Sequence, residues 1–395
     1  MESRQEHMDG LAGTAALESR VGLILAGGGA RAAYQVGVLK AIARMRAPLI
    51  QNPFPVVCGT SAGAINATAL GVYAADFQDA VSRMVAVWGH FSVDQVFRSD
   101  AIGLGKSAGH WLAAMMLGGL GRYNPTALFD REPLERLLRS YLPCERIAES
   151  IANGHIHALS VTASGYTTGQ SVTFYQSAAT IEPWDRAIRV GCPAQITLDH
   201  LMASSAIPFI FQAVKINREY FGDGSMRQIA PISPALHLGA DRILVIGVRS
   251  QNDAEFVRQK TRDYPSMAQI AGHVLNSIFL DSMDVDLERL KRINRTLELI
   301  PKQLIADGTV RLKPVRVLEI NPSRDISSIA KEHAHRLPPA VRFFLRGIGG
   351  LSRNGTSLLS YLLFDKAYCR ELIALGYSDT IKRRDEVMAF LDGKG

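Results

Sequence analysis

The sequence predicts an α/β fold with three layers, in which a mostly parallel central sheet carries helices on both faces. An apolar run at 21–26 passes through a glycine-rich turn into a segment with helical spacing, and a second apolar run at 55–58 does the same. Two successive strand–turn–helix units favour parallel strands, because each connection must cross a face of the sheet. Of the 395 residues, 47% are hydrophobic and 21% are charged, which is typical of a globular protein.

The first unit begins at Val21–Ala26, a run that is apolar throughout, as expected of a strand buried on both faces. The chain then passes through Gly27–Gly29, where the absence of side chains permits a tight turn. The apolar residues that follow at helical spacing are Val36, Leu39, Ile42 and Ala43. Their spacing predicts a helix with one buried face.

The second unit contains the motif G-x-S-x-G at Gly59–Gly63, with Ser61 at its centre. The preceding run Pro55–Cys58 predicts a buried strand, and 64–70 predicts a helix. A serine at the apex of a sharp strand-to-helix turn is a nucleophile elbow. A Cβ at either glycine of the motif would clash with the neighbouring strand or helix. The helix start also leaves unpaired N–H groups near the serine, which suits a developing negative charge.

Further elements are predicted along the rest of the chain. Strands are expected at 157–162, 171–175, 214–216, 219–221, 242–248 and 315–320, the last of them at the sheet edge. Helices are expected at 76–88, 130–139, 199–206, 266–278 and 283–300. Residues 99–122 predict either a mobile amphipathic cover or a core helix, and the core helix is favoured.

The chain is expected to contain a flexible tail at 1–20, a catalytic domain at 21–262 and a helical C-terminal region at 263–395 that packs on the core. The C-terminal region is rich in helical patterns and in basic residues. No internal repeat or low-complexity linker separates the two larger parts, so the boundary is placed only within 262–325.

The cysteines and the apolar segments indicate the cellular compartment of the protein. The four cysteines are Cys58, Cys144, Cys192 and Cys369. They lie far apart and in no metal-ligand spacing, which predicts core thiols in a reducing compartment and no metal site. Residues 1–20 lack the apolar segment of a signal peptide, and the apolar stretch 111–120 is too short to span a bilayer. The sequence therefore predicts a cytoplasmic protein, with peripheral contact at a membrane surface as an option.

A net charge of +7 permits attraction to anionic lipid or to nucleic acid. The basic residues are not interleaved with aromatic residues, and no nucleic-acid-binding motif is present. Nucleic acid is therefore not an expected partner.

The glycine-rich turn Gly27–Gly29 allows two interpretations. With Ala32 it fits G-x-G-x-x-[GA], which after a strand is typical of a dinucleotide site. Such a site also needs an acidic residue about 20 positions later for the ribose, and residues 46–57 contain none. No cofactor is therefore expected. The other use is as bare backbone donors for an oxyanion, where loss of one donor costs roughly a hundred- to a thousandfold in rate.

Ser61 needs a group that accepts its proton. The histidines considered as its partner, all well downstream, are His237, His273, His333 and His335. None lies in a turn directly after a strong strand, where an α/β-hydrolase has its histidine, so surface or capping roles are favoured. Asp223 does follow a predicted strand and has a glycine on each side. Asp-Gly is also a hairpin-turn signal, and spacing alone leaves both interpretations of Asp223 open.

Taken together and in order, five motifs resemble the patatin-like phospholipase family. They are Gly27–Arg31, Gly37–Leu39, Gly59–Gly63, Ala203–Pro208 and Asp223–Gly224. The resemblance covers about residues 20–250, so 21–262 is expected to be a patatin-like catalytic domain. It carries no implication for residues 263–395.

Members of that family are lipid acyl hydrolases with a Ser–Asp dyad and no catalytic histidine. The resemblance implies that Ser61 is the nucleophile and Asp223 its base. The implied oxyanion hole consists of Gly27, Gly28, Gly29 and Ala62. Arg31 matches the basic residue that follows the family's glycines and is expected to bind substrate. The implied protein is a serine esterase of phospholipase A or lysophospholipase type, acting on a lipid or membrane-surface substrate without metal or cofactor.

This chain departs from the family pattern at two positions. Ala32 stands where the family usually has glycine, and Ser225 stands where glycine or alanine is commoner. Both residues are small, so the geometry of the site is expected to be retained, while turnover or substrate range can differ.

Two other functions stay open. Acyltransferases use a similar serine elbow, although their usual partner is a histidine and none is well placed here. A non-catalytic lipid-binding module would rest on basic residues of the C-terminal region such as Arg342, Arg346 and Lys382–Arg384. Such charges are usually a solvated face. The oligomeric state is not predicted.

Overall fold

The structure is a computed structural model that describes residues 20–98, 109–110, 116, 126–250, 264–306, 309–310, 312–352 and 355–394. The expected tail at 1–20 lies outside the described residues except for its last position. The segment 99–122, with its two alternative interpretations, also lies almost entirely outside them.

The strands of the described chain form one mixed sheet. They are β1 (Val21–Leu25), β2 (Val56–Thr60), β3 (Ala158–Gly165), β4 (Ser171–Ser177), β5 (Trp184–Arg186), β6 (Arg189–Pro193), β7 (Val214–Ile216), β8 (Glu219–Asp223), β9 (Arg242–Ile246) and β10 (Arg316–Ile320). Their order across the sheet is β10-β9-β1-β2-β3-β4-β6-β5, and the β7–β8 hairpin attaches to the end of β3.

The half of the sheet that contains β1 and β2 is parallel. β10, β9, β1, β2 and β3 all run in the same direction, and β1 and β2 are buried at every position. Beyond β3 the pairing is mixed, because β4 runs antiparallel to β3 whereas β6 runs parallel to β4. The predicted mostly parallel sheet is confirmed, and β10 occupies the predicted edge position.

Helices flank this sheet. Those of the described residues are α1 (Ala33–Arg46), α2 (Ala62–Val72), α3 (Phe77–Gly89), α4 (Glu132–Tyr141), α5 (Arg146–Ala152), α6 (Leu198–Ser204), α7 (Ser233–His237), α8 (Met267–Asn276), α9 (Ser282–Glu298), α10 (Lys302–Ala306), α11 (Ile326–His333), α12 (Pro339–Gly347), α13 (Thr356–Leu362), α14 (Lys366–Lys382) and α15 (Arg384–Leu391). A π-helical turn, Ser277–Asp281, joins α8 to α9.

Helix boundaries follow capping chemistry. The Asp76 side chain accepts hydrogen bonds from the backbone N–H groups of Gln78 and Asp79, which fixes the start of α3 as predicted. α4 begins two residues later than predicted. Asp130 accepts from the N–H of Glu132 but lies one position before the N-cap residue, which is Arg131.

The C-terminal region packs on the same core. β10 pairs with β9 in register, and α14 lies so close to α1 that a Cβ on Gly37 or Gly376 would overlap backbone of the other helix. The Tyr34 hydroxyl on α1 donates to Asp379 on α14 at 3.2 Å. The predicted division near residue 262 stays a prediction. The sheet itself continues past that position, to residue 320.

No helix among the described residues is long and apolar enough to cross a membrane. All four cysteines are free; Cys58, Cys144 and Cys369 are buried, and Cys192 is partly exposed.

Candidate active site

Ser61 lies at the apex of the turn between β2 and α2. The strand ends at Thr60 and the helix begins at Ala62, so the predicted strand–turn–helix is present. The backbone of Ser61 has φ 54° and ψ −128°, a conformation that costs a non-glycine residue about 1–3 kcal/mol. The surrounding packing must therefore hold Ser61 in this conformation. The conformation directs the Ser61 side chain away from the path of the chain.

The two glycines of the G-x-S-x-G motif are required by close packing. A Cβ on Gly63 would overlap the carbonyl oxygen of Leu25 at the end of β1, and a Cβ on Gly59 would meet Ala64 and Ala67 of α2. The turn is therefore wedged between its own helix and the strand that leads into the glycine-rich turn.

Strand β3 brings Asp223 to Ser61. It pairs with β2 on one side, with Thr60 opposite Thr162, and with β8 at its end, with Asp223 opposite Ala163. The two strand ends therefore meet, and the Ser61 hydroxyl donates a hydrogen bond to Asp223 Oδ2 at 2.6 Å. The 162 positions that separate the two residues in sequence are bridged by sheet register.

The carboxylate of Asp223 is fully buried. Burial raises its pKa from 3.8 to about 6, while hydrogen bonds from Ser61 and Ser225 act in the opposite direction. The N–H of Ser225 donates to Oδ1 at 2.9 Å, which leaves Oδ2 directed to Ser61. At neutral pH this carboxylate is ionised, and it is a stronger base than an exposed aspartate.

The hairpin-turn interpretation of Asp223-Gly224 does not apply. The residue ends β8 and caps a 3-10 turn, Gly224–Met226. The hairpin of β7 and β8 turns earlier, where Asn217 has φ 54°. Gly224 is needed for close approach, because a Cβ there would overlap the carbonyl of Thr162.

Ser204, at the end of α6, holds the backbone of the elbow. The N–H of Ser61 donates to Ser204 Oγ at 2.9 Å, and Ser204 Oγ donates to the carbonyl of Thr162 at 2.6 Å. Sequence reasoning quoted the surrounding segment only as a motif and assigned this serine no role. The only sequence feature that could have indicated a role for Ser204 was its position in the motif Ala203–Pro208.

The glycine-rich turn lies between the elbow and the C-terminal region. A Cβ on Gly27 would lie 2.5 Å from Ser225 Oγ and 2.9 Å from the ring of Phe279. Gly29 has φ 54°, and a Cβ there would overlap the carbonyl of Tyr361. The turn is therefore confined on both sides, and only glycine fits at Gly29 without strain.

Buried amides tie the turn to the elbow helix. Gln35 on α1 donates to the carbonyl of Ala26 at 2.7 Å and accepts from Asn66 on α2 at 3.0 Å. Asn66 in turn accepts from the indole N–H of Trp88 at 2.8 Å. Sequence reasoning missed this network, because neither amide belongs to a motif.

Arg31 is buried, with 3% exposure, and its hydrogen-bond partners are hydroxyls of the C-terminal region. Its Nε donates to Ser360 at 2.8 Å, and its Nη2 donates to Ser357 at 3.2 Å and to Ser327 at 3.3 Å. The guanidinium also lies 4.0 Å from the centre of the Tyr361 ring. The guanidinium therefore joins the segment after the glycines to α11 and α13.

The four histidines considered from the sequence lie elsewhere in the described structure. His237 stacks on Trp184, His333 contacts Glu371 at 2.8 Å, His335 contacts the carbonyl of Glu332, and His273 is exposed on α8. Within the described chain, no group of three or more His, Cys, Asp or Glu residues is placed to hold a metal ion.

The site is closed in this conformation. Ser61 is 2% exposed, and the adjacent cavity, lined by Gly27, Thr60, Ser225 and Phe279 among others, has a volume of about 10 Å³. Such a cavity holds about one water molecule. Entry of any ligand larger than water therefore requires a displacement of the covering side chains.

Comparison with known proteins gives a family and a structural neighbour. A family model described as patatin-like phospholipase matches residues 23–236, more than half of the chain. Among solved structures, the chain is similar to the crystal structure of VipD from Legionella pneumophila, at 15% identity and a TM-score of 0.38, over 95% of this chain and 67% of that one. None of the curated proteins compared with the chain matches it significantly.

Proposed function

The chain belongs to the patatin-like phospholipase family, and we propose that it is a phospholipase A or lysophospholipase that uses a Ser61–Asp223 dyad. The family relationship supports lipid ester hydrolysis in general. The finer proposal rests on one observation, the 2.6 Å hydrogen bond from the Ser61 hydroxyl to a fully buried carboxylate. A buried base beside a hydroxyl at a strained turn is the arrangement that acyl transfer requires.

In the first step, Asp223 accepts the proton of Ser61 while Oγ bonds to the ester carbonyl carbon. The carbonyl oxygen then carries a negative charge. When the tetrahedral intermediate collapses, the C–O bond to the alcohol breaks, and the leaving alkoxide takes the proton from Asp223. The products are an acyl-serine and a free alcohol, which for a diacyl phospholipid is the lysophospholipid.

In the second step, a water molecule attacks the acyl carbon, and Asp223 accepts its proton. Collapse breaks the bond to Ser61 Oγ, which recovers the proton, and the fatty acid leaves. The raised pKa of Asp223 supports both steps, because a carboxylate with a pKa of about 6 accepts a proton more readily than an exposed one.

We assign the oxyanion donors to the backbone N–H groups of the glycine-rich turn, Gly27–Gly29, together with that of Ala62. Three features support the assignment. The carbonyl oxygens of Leu25 and Ala26 lie where a Cβ on Gly63 would sit, so the start of the glycine-rich turn is in close contact with the turn that contains Ser61. Ala62 is the first residue of α2, where N–H groups lack helical partners. The N–H of Ser61 is already used by Ser204.

Arg31 was expected to bind substrate, and that expectation stays a prediction. Its burial and its three hydroxyl partners favour a positioning role instead. We propose that the guanidinium fixes the turn after Gly29 against α13, so that the oxyanion donors keep one direction when substrate binds.

An activity-based probe tests the dyad without assuming a substrate. A fluorophosphonate should label the full-length protein at Ser61, identified by mass spectrometry. Ser61→Ala should abolish the label. Ser150→Ala, which removes another buried serine hydroxyl on α5, should leave it unchanged. Undiminished labelling of the Ser61→Ala protein would overturn the proposal.

A further inference from the structure

An exposed apolar face runs along α8, the helix that leads into the turn beside the active site. Met267, Ile270 and Val274 are 69%, 40% and 50% exposed. Residues three and four apart share one face of a helix, and the partly buried Ala271 and Ile278 continue that face. A soluble surface helix normally directs such a stripe inward. Here the stripe faces outward, which is typical of an interaction surface.

A second element extends this surface. The N–H of Ala268 donates to the carbonyl of Ile348, just after α12, at 2.9 Å, so the start of α8 adjoins the end of α12. On α12, Phe343 is 81% exposed. Tyr264, just before α8, is 89% exposed. We call Tyr264, Met267, Ile270, Val274 and Phe343 the docking face.

The charged residues of α12, which adjoins the start of α8, are both arginines. Residues 264–280 contain no Lys, Arg, Asp or Glu, and residues 333–364 contain four arginines and no acidic residue. Two of these arginines, Arg342 and Arg346, are exposed on α12, where helical spacing puts them on the same side as Phe343. The nearest acidic residues along α8–α9, Asp281 and Asp284, are paired with Arg249 at 3.1 and 2.5 Å.

We propose that the docking face binds the surface of an anionic lipid bilayer. Apolar side chains on one helical face, an exposed tyrosine and phenylalanine, and exposed arginines on an adjoining helix that has no acidic residue are the features of a segment that lies in a lipid interface. The charge complementarity favours anionic lipid over a second copy of this chain, since a copy would bring the same arginines against one another.

The docking face is continuous with the candidate active site. At the end of α8, Asn276 accepts hydrogen bonds from Ser357 and Tyr361, both at 2.9 Å, and both of these residues contact Arg31. Ile278 lines the small cavity beside the dyad. The inference therefore extends the proposed function: it names the surface from which the substrate is taken.

Vesicle co-sedimentation tests the docking face separately from catalysis. The full-length Ser61→Ala protein, which cannot consume the lipid, is mixed with vesicles of phosphatidylcholine and phosphatidylglycerol. In that background Ile270→Gln/Val274→Gln should weaken binding about tenfold, because two apolar side chains no longer enter the interface. The matched control Ile50→Gln/Val285→Gln removes residues of the same type that are 55% and 54% exposed elsewhere, and binding should be unchanged.

Two results would overturn the inference. One is equal binding of the two double variants to the anionic vesicles. The other is absence of binding by the parent protein together with a dimer that Ile270→Gln/Val274→Gln dissociates, which would assign the face to a second copy. Binding should also fall when phosphatidylcholine replaces the anionic lipid.

The proposed function can fail independently. With Ser61 intact, the Ile270→Gln/Val274→Gln protein should hydrolyse a short, water-soluble ester at the parent rate and lose activity only on vesicles. Vesicle binding without soluble-ester hydrolysis by the parent protein would retain the docking face and reject the enzyme.

Discussion

The two sides of the candidate active site are built in different ways. Ser61 and Asp223 lie at strand ends and meet because β2 and β8 both pair with β3. Arg31, in contrast, is held by serines 296 to 329 positions further along the chain, on helices of the C-terminal region. The comparison indicates that the sheet positions the two proposed reacting groups, while the C-terminal helices hold the turn that is proposed to stabilise the transition state.

Removing the proposed base, which lies on the sheet side, should cause the largest loss of activity. Asp223→Asn keeps the size and an acceptor oxygen but cannot take the Ser61 proton, so we expect ester hydrolysis to fall about 10³-fold. Asp286→Asn is the matched control, because Asp286 is also a buried carboxylate with a raised pKa but accepts from the backbone of Ile232. The hydrolysis rate of the Asp286→Asn protein should stay within a factor of about two of the wild-type rate.

Gly29→Ala tests the boundary between the two sides. Alanine is strained at φ 54°, and its Cβ would displace the carbonyl of Tyr361, so the donors should move and hydrolysis should fall about a hundredfold. Gly154→Ala imposes similar backbone strain at φ 74° in open space. Equal losses of activity in the two variants would reject the proposed role of the turn.

The C-terminal side should show a smaller effect. Arg31→Gln leaves three hydroxyls without their donor and releases Tyr361, so we expect hydrolysis to fall about tenfold, with faster proteolysis of residues 264–394. Arg31→Lys should not restore activity, because an ammonium group cannot reproduce the planar set of donors. Arg383→Gln is the control, since that arginine contacts β10 through the carbonyl of Glu319. If Arg31→Gln leaves hydrolysis and proteolysis unchanged, the positioning role is wrong.

A measurement of stability against pH tests the raised pKa of the buried Asp223 carboxylate separately from catalysis. Burial raises the pKa of Asp223 from 3.8 to about 6, so the folded state binds more protons than the unfolded state between these values. Its contribution to stability is therefore present below pH 4 and is lost as the pH rises through 6. The free energy of unfolding of Asp223→Asn relative to wild type should rise by up to about 3 kcal/mol between pH 4 and pH 7.

Urea unfolding at pH 4, 5, 6 and 7 checks this difference. The Ser61→Ala protein keeps the carboxylate but loses the Ser61 hydrogen bond that lowers its pKa, so its pH dependence should be at least as large as that of the wild type. A constant difference between Asp223→Asn and wild type over this range would contradict the raised pKa.

Much of the sheet side could be predicted from local pattern. The apolar runs before Gly27 and Gly59 predict buried strands, and small residues at sharp turns predict the elbow. Asp223 was recognisable only through the family resemblance, because Asp-Gly at the end of a strand also fits a hairpin. Its approach to Ser61 depends on the pairing of β8 with β3, which no local signal encodes.

The C-terminal side could not be predicted in the same way. Ser327, Ser357 and Ser360 are small polar residues in helices, and nothing in their neighbourhood marks them as partners of a buried arginine. Ser204 and Asn66 were missed for the same reason, since their roles follow from three-dimensional contacts with the elbow and the glycine-rich turn. The helix at 266–278 was predicted as amphipathic, but the outward direction of its apolar face follows only from its packing.

The pH dependence of Ser61 labelling tests the central claim most directly. If Asp223 is the base, the rate of fluorophosphonate labelling of the wild type should fall as the pH is lowered, with a midpoint near pH 6, because protonation of the carboxylate removes the acceptor. The Asp223→Asn protein should label slowly and without that transition. The same midpoint and the same rates in both proteins would contradict the assignment of Asp223 as the base.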